Sequence, residues 1–317
     1  MKLKALSHYN SDLDTRFGDC ILVYDSKSLI VFDCGHAKHA ESVESFLISH
    51  PAINQIYIVV SHNDSDHTDG VCGLLKWLNT RGRYSVNVYS HQYLKHVDSI
   101  LDKIDDERRN RESLKEALLV EFDNIKAIIE TAQAFDFSAN EALRGTSVGT
   151  CTIVGPTVDE FTDVAAKAID SRESDEIGEG HAKETVMNAA SIQLMCKLDN
   201  AANILLCGDA SPEYLHNLNS YSIIQLPHHG QLEDAQAIFE KLKGNSYSKD
   251  YLISDNTGSG ATSGGSDKLV QYMKDENYNP AMNTKNAPVD IPSGGNNIKS
   301  TIKPQGVKLG EVDFRCW

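Results

Sequence analysis

Ten consecutive residues constrain this chain more than any others: Ser61-His62-Asn63-Asp64-Ser65-Asp66-His67-Thr68-Asp69-Gly70. They follow an unbroken apolar, β-branched run at 56–60, which predicts a buried strand and puts the polar cluster on the loop leaving that strand's carboxyl end. Open α/β sheets bind ligands at such ends. The spacing His-x-Asp-x-Asp-His sets two imidazoles and two carboxylates on one loop, an N/O set suited to zinc, manganese or iron rather than a thiolate site. Such a loop can divide its ligands between two ions, His62 and Asp64 toward one, Asp66 and His67 toward the other. That requires a bridging carboxylate and another imidazole from later in the chain. The apolar run 204–206 leads to Cys207-Gly208-Asp209-Ala210, and the run 223–226 leads to Pro227-His228-His229-Gly230.

In this order, each behind an apolar run, HNDSDHTDG, LLCGDA and LPHHG resemble the metallo-β-lactamase superfamily. Asp64, where a second histidine is commoner, together with the GDA and HHG motifs, is similar to the ComEC-like metallo-hydrolase subgroup. Phe17-Gly18-Asp19-Cys20-Ile21-Leu22-Val23 and Val31-Phe32-Asp33-Cys34-Gly35 are similar to the family's opening hairpin. The resemblance covers roughly residues 1–90 and 150–255. It implies an α/β fold, a four-layer αββα metallo-β-lactamase sandwich forming one domain over 1–317, with two divalent ions, zinc or manganese. It further implies that Asp209 bridges the ions, that Asp66 binds one and orients the nucleophile, and that Asp33 and Gly70 support the loop from behind. In similar P-x-H-G motifs the histidine before glycine is the ligand, so His229 is assigned to metal. Neighbours on an extended chain face opposite ways, which leaves His228 for a substrate phosphate or the leaving-group proton.

The resemblance is imperfect at the third motif. Most relatives supply a histidine there; this chain offers Asn188 and Ser191, similar to the N-x-x-S entry of ComEC-like members, and both are expected to face substrate. The ion held by His62, Asp64 and Asp209 is therefore expected to bind more weakly, with His181 the nearby imidazole able to complete it. Gln231 stands where the subgroup has serine.

Two cations about 3.5–4 Å apart can activate a water and clamp a phosphate, so the implied activity is hydrolysis of a phosphodiester in a nucleic acid or nucleotide. The same metal pair can cleave a carboxylic ester, thioester or lactam, and a non-catalytic interaction module of a multi-protein bacterial system is the reading from another class. Forty-five acids against 30 bases give a net charge of −15, the reverse of a duplex-DNA binder that neutralises phosphates with its own side chains. Bound cations would supply local positive charge that this count omits.

No segment approaches the ~18–20 apolar residues of a membrane span, and the start is too soon polar for a secretory signal, so the expectation is a cytoplasmic protein. The seven cysteines are odd in number and scattered, which predicts reduced core residues. Cys207, two residues before Asp209, could instead point to the metal.

Along the chain, 20–24 and 28–33 predict a hairpin, 41–48 and 71–78 helices, and 84–89 a strand followed by His91 in a packing role. Residues 93–143 carry apolar positions at helical spacing among many charges and predict a helical insertion outside the sandwich. Its arginine-rich run at 105–111 reads as a solvated face or as a partner surface or phosphate lid. Strands are expected at 151–154, 186–194, 251–254 and 312–317, and helices at 158–169 and 235–242. The glycine-rich loop at 255–267 reads as a connector or an anion cradle.

Overall fold

The computed structural model describes residues 1–6, 18–104, 110–174, 186–255 and 266–292. His181, the closing strand expected at 312–317 and most of the loop at 255–267 lie outside them.

Two seven-stranded mixed sheets stack face to face. The first takes β1 (Lys2–Ala5), β2 (Ile21–Tyr24), β3 (Ser28–Phe32), β4 (Gln55–Val59), β5 (Ser85–Ser90) and β6 (Ser138–Glu141). The second takes β7 (Ser147–Val148), β8 (Cys151–Gly155), β9 (Gln193–Lys197), β10 (Asn203–Leu206), β11 (Ile223–Gln225), β12 (Asp250–Ile253) and β13 (Met282–Asn283). The last strand, β14 (Val289–Ile291), returns to the first sheet beside β1. Helices α1 (Ala37–Ser49), α2 (Ser65–Thr68), α3 (Val71–Arg81), α4 (Val97–Leu101), α5 (Arg111–Glu121), α6 (Asp123–Ala134) and α7 (Val158–Ser174) precede α8 (Leu232–Leu242) and α9 (Asp267–Asp275).

The central strands are apolar along their whole length because both faces are buried. In β4, Ile56 and Ile58 join the cluster under the first helical layer, while Val59 lies between the sheets with Ile30, Phe32, Leu194, Ile204 and Leu206. Across the second sheet, Leu205, Ile224, Tyr251 and Ile253 meet Ala235, Ile238 and Phe239 of α8. Helix, sheet, sheet, helix is the expected αββα order. β3 to β6 run parallel, as do β10 to β13. The loops after β4, β10 and β11 carry the three motifs.

Four expectations are corrected. Residues 93–143 are not helical throughout, since β6 pairs in parallel with β5, Val88 opposite Ala139. Joining parallel neighbours requires a long crossover, and the helices between them are that crossover. Their apolar faces, with Leu114, Leu118, Ile125 and Ile128 buried, belong to the core under the first sheet. The strand expected at 186–194 begins only at Gln193, because Val186–Ala190 is a 3-10 turn closed by Ser191, whose amide and Oγ both donate to the Asn188 carbonyl at 2.8 and 2.7 Å. Cys151 and Cys196 are not reduced core residues. They lie on the paired strands β8 and β9 with Cα atoms 4.6 Å apart and form a disulfide. Finally, His228, His229 and Gly230 take φ of 47°, 52° and 86°, a left-handed turn rather than the extended chain used to argue that the two imidazoles diverge. Among the described residues no helix is long and apolar enough to cross a membrane.

Candidate metal centre

The metal-capable loop leaves β4 and curls through the single turn α2, in which the His67 amide donates to the Asp64 carbonyl at 3.0 Å and swings Asp66 and His67 back over the strand end. Two glycines make room for it. A Cβ at Gly18 or Gly35 would fall 1.6 or 1.7 Å from the Asp66 carbonyl oxygen, so that peptide lies directly against both backbones. Asp19 N donates to the same oxygen at 2.9 Å, and Cys34 N to the His67 carbonyl at 3.0 Å. Gly70 serves similarly at the start of α3, its amide 2.8 Å from the Cys34 carbonyl, where a Cβ would meet His36 O at 2.4 Å.

Behind the loop, Asp33 holds φ of 59° and accepts from Ser61 N at 2.7 Å and Ser61 Oγ at 2.6 Å, while its Oδ2 lies 2.9 Å from His67 Nδ1. Because Ser61 Oγ donates to Asp33, it accepts from His62 Nδ1, at 2.9 Å. His229 Nδ1 is held at 3.0 Å by both Asp19 Oδ1 and the Ser254 carbonyl. In each ring the Nδ1 hydrogen is engaged from behind and Nε2 is turned inward, the second-neighbour arrangement that orients metal-binding histidines.

The three Nε2 atoms face one carboxylate. Asp209 Oδ2 lies 3.8 Å from that of His62, 3.4 Å from that of His67 and 3.9 Å from that of His229. Asp66 Oδ2 is 3.2 Å from His229 Nε2, and its Oδ1 4.0 Å from His67 Nε2. Asp64 Oδ2 stands 3.8 Å from His62 Nε2 and accepts from Asn188 Nδ2 at 2.9 Å. The structure thus brings together His62, Asp64, Asp66, His67, Asp209 and His229, all six proposed ligands.

Asn188 sits beside the cluster on Asp64. Ser191 is fully buried with its hydroxyl on the Asn188 carbonyl, so it supports the turn rather than facing substrate. His228 pairs through Nδ1 with Asp234 Oδ2 at 2.6 Å. Cys207 Sγ donates to the Gln225 carbonyl at 3.1 Å, which removes it as a ligand, and His91 packs flat on Phe161.

Electrostatics follow from burial and crowding. Burial opposes charge on Asp209, but His67, His229 and His62 outweigh it and hold the carboxyl well below its ordinary range. Burial likewise works against a charged His67 and His229, yet Asp209 with Asp33 in one case and Asp209 with Asp19 in the other raise both well above the usual imidazole value. His62 is lowered, by burial first and then by His67. These groups fit a divalent cation. His62 Nε2, His67 Nε2 and Asp209 Oδ1 are buried without a hydrogen-bond partner, and His62, His67 and Asp209, or Asp19, His67 and His229, place ligand atoms within 4.8 Å of one another. A cation there would displace protons from His67 and His229.

Two contributors were not singled out in the sequence. Asp19 was noticed only as part of the opening hairpin. Gln225 donates to Asp19 Oδ2 at 2.6 Å and accepts from Cys207 N at 3.0 Å, tying the back of His229 to the Asp209 loop. Its signal was a glutamine closing an otherwise apolar strand, since a buried polar residue there must have a partner.

No family model and no curated protein matches this chain. Among solved structures it is similar to the metallo-β-lactamase fold protein YhfI from Bacillus subtilis, at 9% identity and a TM-score of 0.36, over 71% of this chain and 70% of that one. It is also similar to a HARLDQ-motif mutant of a metallo-β-lactamase from Cronobacter sakazakii, at 12% identity and a TM-score of 0.30, over 71% of this chain and 67% of that one.

Proposed function

We propose that this protein is a metal-dependent hydrolase of the metallo-β-lactamase superfamily, ComEC-like in its site, that cleaves phosphodiesters with two divalent cations, zinc or manganese. The observation that carries the reading is Asp209, whose Oδ2 lies within 3.9 Å of three buried imidazole Nε2 atoms with Asp64 and Asp66 on its flanks. A carboxylate so surrounded supports the reading in which Asp209 would be shared by two cations.

Bound cations would supply an acidified water and positive charge for the phosphoryl oxygens. The chain's own residues do the rest. Asp209, His62 and Asp64 would hold one ion, and Asp209, Asp66, His67 and His229 the other. Asp33, Ser61 and Asp19 fix the imidazoles with Nε2 inward, so little reorganisation is needed on loading. Asp66 would orient the attacking water. Asp234 aligns His228 for the phosphate or leaving group. Asp64 in the place of a second neutral imidazole supports diesters over lactams, since it follows the ComEC-like pattern.

The test is to load the purified protein with zinc or manganese, count bound metal, and compare bis-p-nitrophenyl phosphate with a lactam and a thioester. Diester turnover that disappears in Asp209→Asn supports the proposal. Turnover of the lactam or thioester with none of the diester would refute it.

A further inference from the structure

Asn63 stands between two proposed ligands, His62 and Asp64, and was given no role by its motif. In the structure it is bonded to a helix 60 residues away. Asn63 Oδ1 accepts from Ile125 N at 3.0 Å, Asn63 Nδ2 donates to Asp123 Oδ1 at 3.1 Å, and the Asn63 carbonyl accepts from Asn124 Nδ2 at 2.8 Å. The helix it meets needs this partner. α5 carries its own capping box, Asn110 with Ser113, whereas α6 is separated from the end of α5 by the single residue Phe122, which sits at its cap position and makes no side-chain cap bond. An uncapped helix start leaves amides unsatisfied, and the amide that a cap ordinarily bonds is that of the third residue, here Ile125. Asn63 therefore acts as the N-cap of α6 from another part of the chain. The same residue fixes the backbone that carries His62 and Asp64.

We infer that Asn63 is a positioning residue that couples the metal loop to α6, so that cation binding and the docking of α6 strengthen one another. This rests on the metal reading above. Coupling between two sites is reciprocal: if a docked α6 holds the loop in its binding geometry, a bound cation must in turn stabilise the start of α6. Because α6 is the last helix of the crossover from β5 to β6, whatever disturbs that layer would reach the metal centre through Asn63.

Hydrogen exchange of the amides of residues 123–134, with and without saturating zinc, together with a zinc titration, tests this. In the unmodified protein zinc should slow exchange at the start of α6 about tenfold, and Asn63→Ala should abolish that slowing and weaken zinc binding about tenfold. A purely structural cap would speed exchange in Asn63→Ala equally with and without zinc, and that result would overturn the inference, as would unchanged zinc affinity. Asn63→Asp sets a carboxylate against Asp123 and should uncouple the two, while Asn63→Asp combined with Asp123→Asn reverses the hydrogen bond and should restore the zinc-dependent slowing. Failure of the pair to restore it counts against the coupling even where Asn63→Ala folds poorly. If the unmodified protein binds no zinc, the metal reading itself falls and the coupling with it; zinc binding without coupling removes only the coupling.

Discussion

Replacing Gly35 with alanine should damage the metal centre although no ligand is changed. Gly35 is not in the left-handed region, so alanine is free to adopt its backbone, and the effect is steric. The added Cβ would sit 1.7 Å from the Asp66 carbonyl oxygen and 2.4 Å from its carbon, so the Asp66 peptide must retreat by about 2 Å to reach ordinary contact. That movement strains the bonds from Asp19 N to Asp66 O and from Cys34 N to His67 O, 2.9 and 3.0 Å long. Two weakened backbone bonds at about 1 kcal/mol each, with an overpacking cost of ~1–3 kcal/mol, give a destabilisation of about 3–5 kcal/mol. Metal binding should suffer further, because ligand distances tolerate only about 0.2 Å and both Asp66 and His67 ride on the displaced turn. Gly73→Ala is the matched control: it lies within α3, a Cβ there meets nothing within 4 Å, and the substitution should stabilise by ~0.5–1 kcal/mol. Urea unfolding in chelator, followed by metal content after dialysis, reads both quantities. A Gly35→Ala protein with stability and bound metal equal to those of the unmodified chain would refute the reasoning.

Other expectations follow from the same structure. Burial lowers the His91 imidazole to about 4, so it stays neutral in the folded protein while its unfolded counterpart gains a proton near pH 6.5. Its contribution is complete above that value and declines as pH falls toward 4, by up to about 3 kcal/mol. His91→Gln keeps a donor for the Ala190 carbonyl, 3.0 Å away, and should flatten the acid limb of stability; an unchanged slope of the urea midpoint from pH 7.5 to 4.5 would contradict this. With no imidazole at the third motif, one ion per chain should survive dialysis, and Asn188→His, beside Asp64, should tighten the weaker site in titration calorimetry; two equally tight sites in the unmodified protein would argue otherwise. Thiol titration of denatured, unreduced protein should find five thiols, and a count of seven would show that Cys151 and Cys196 are not joined.

The αββα order was legible only through the resemblance that the three motifs carry, whereas the place of each motif at a strand end is written in local signals. Continuous apolar runs such as 56–60 mark strands buried on two faces, and polar clusters directly behind them must lie at strand ends. His62 to His67 follow β4 of the first sheet, and Asp209 and His229 follow β10 and β11 of the second, so they meet only once the two sheets have stacked. Where local signals were weak the reading failed. Ser138–Glu141 has no alternation to betray an edge strand, and Val186–Ala190 alternates like a strand but is closed into a turn by Ser191. The pairings between residues distant in sequence came only with the folded chain. Asp19 reaches His229 and Gln225, Asn63 caps α6, and Cys151 joins Cys196 across 45 residues. Each of these is chosen by the sheet register and by which buried polar atom still lacks a partner. Neither quantity exists until the strands have paired, so no reading of composition or spacing contains it.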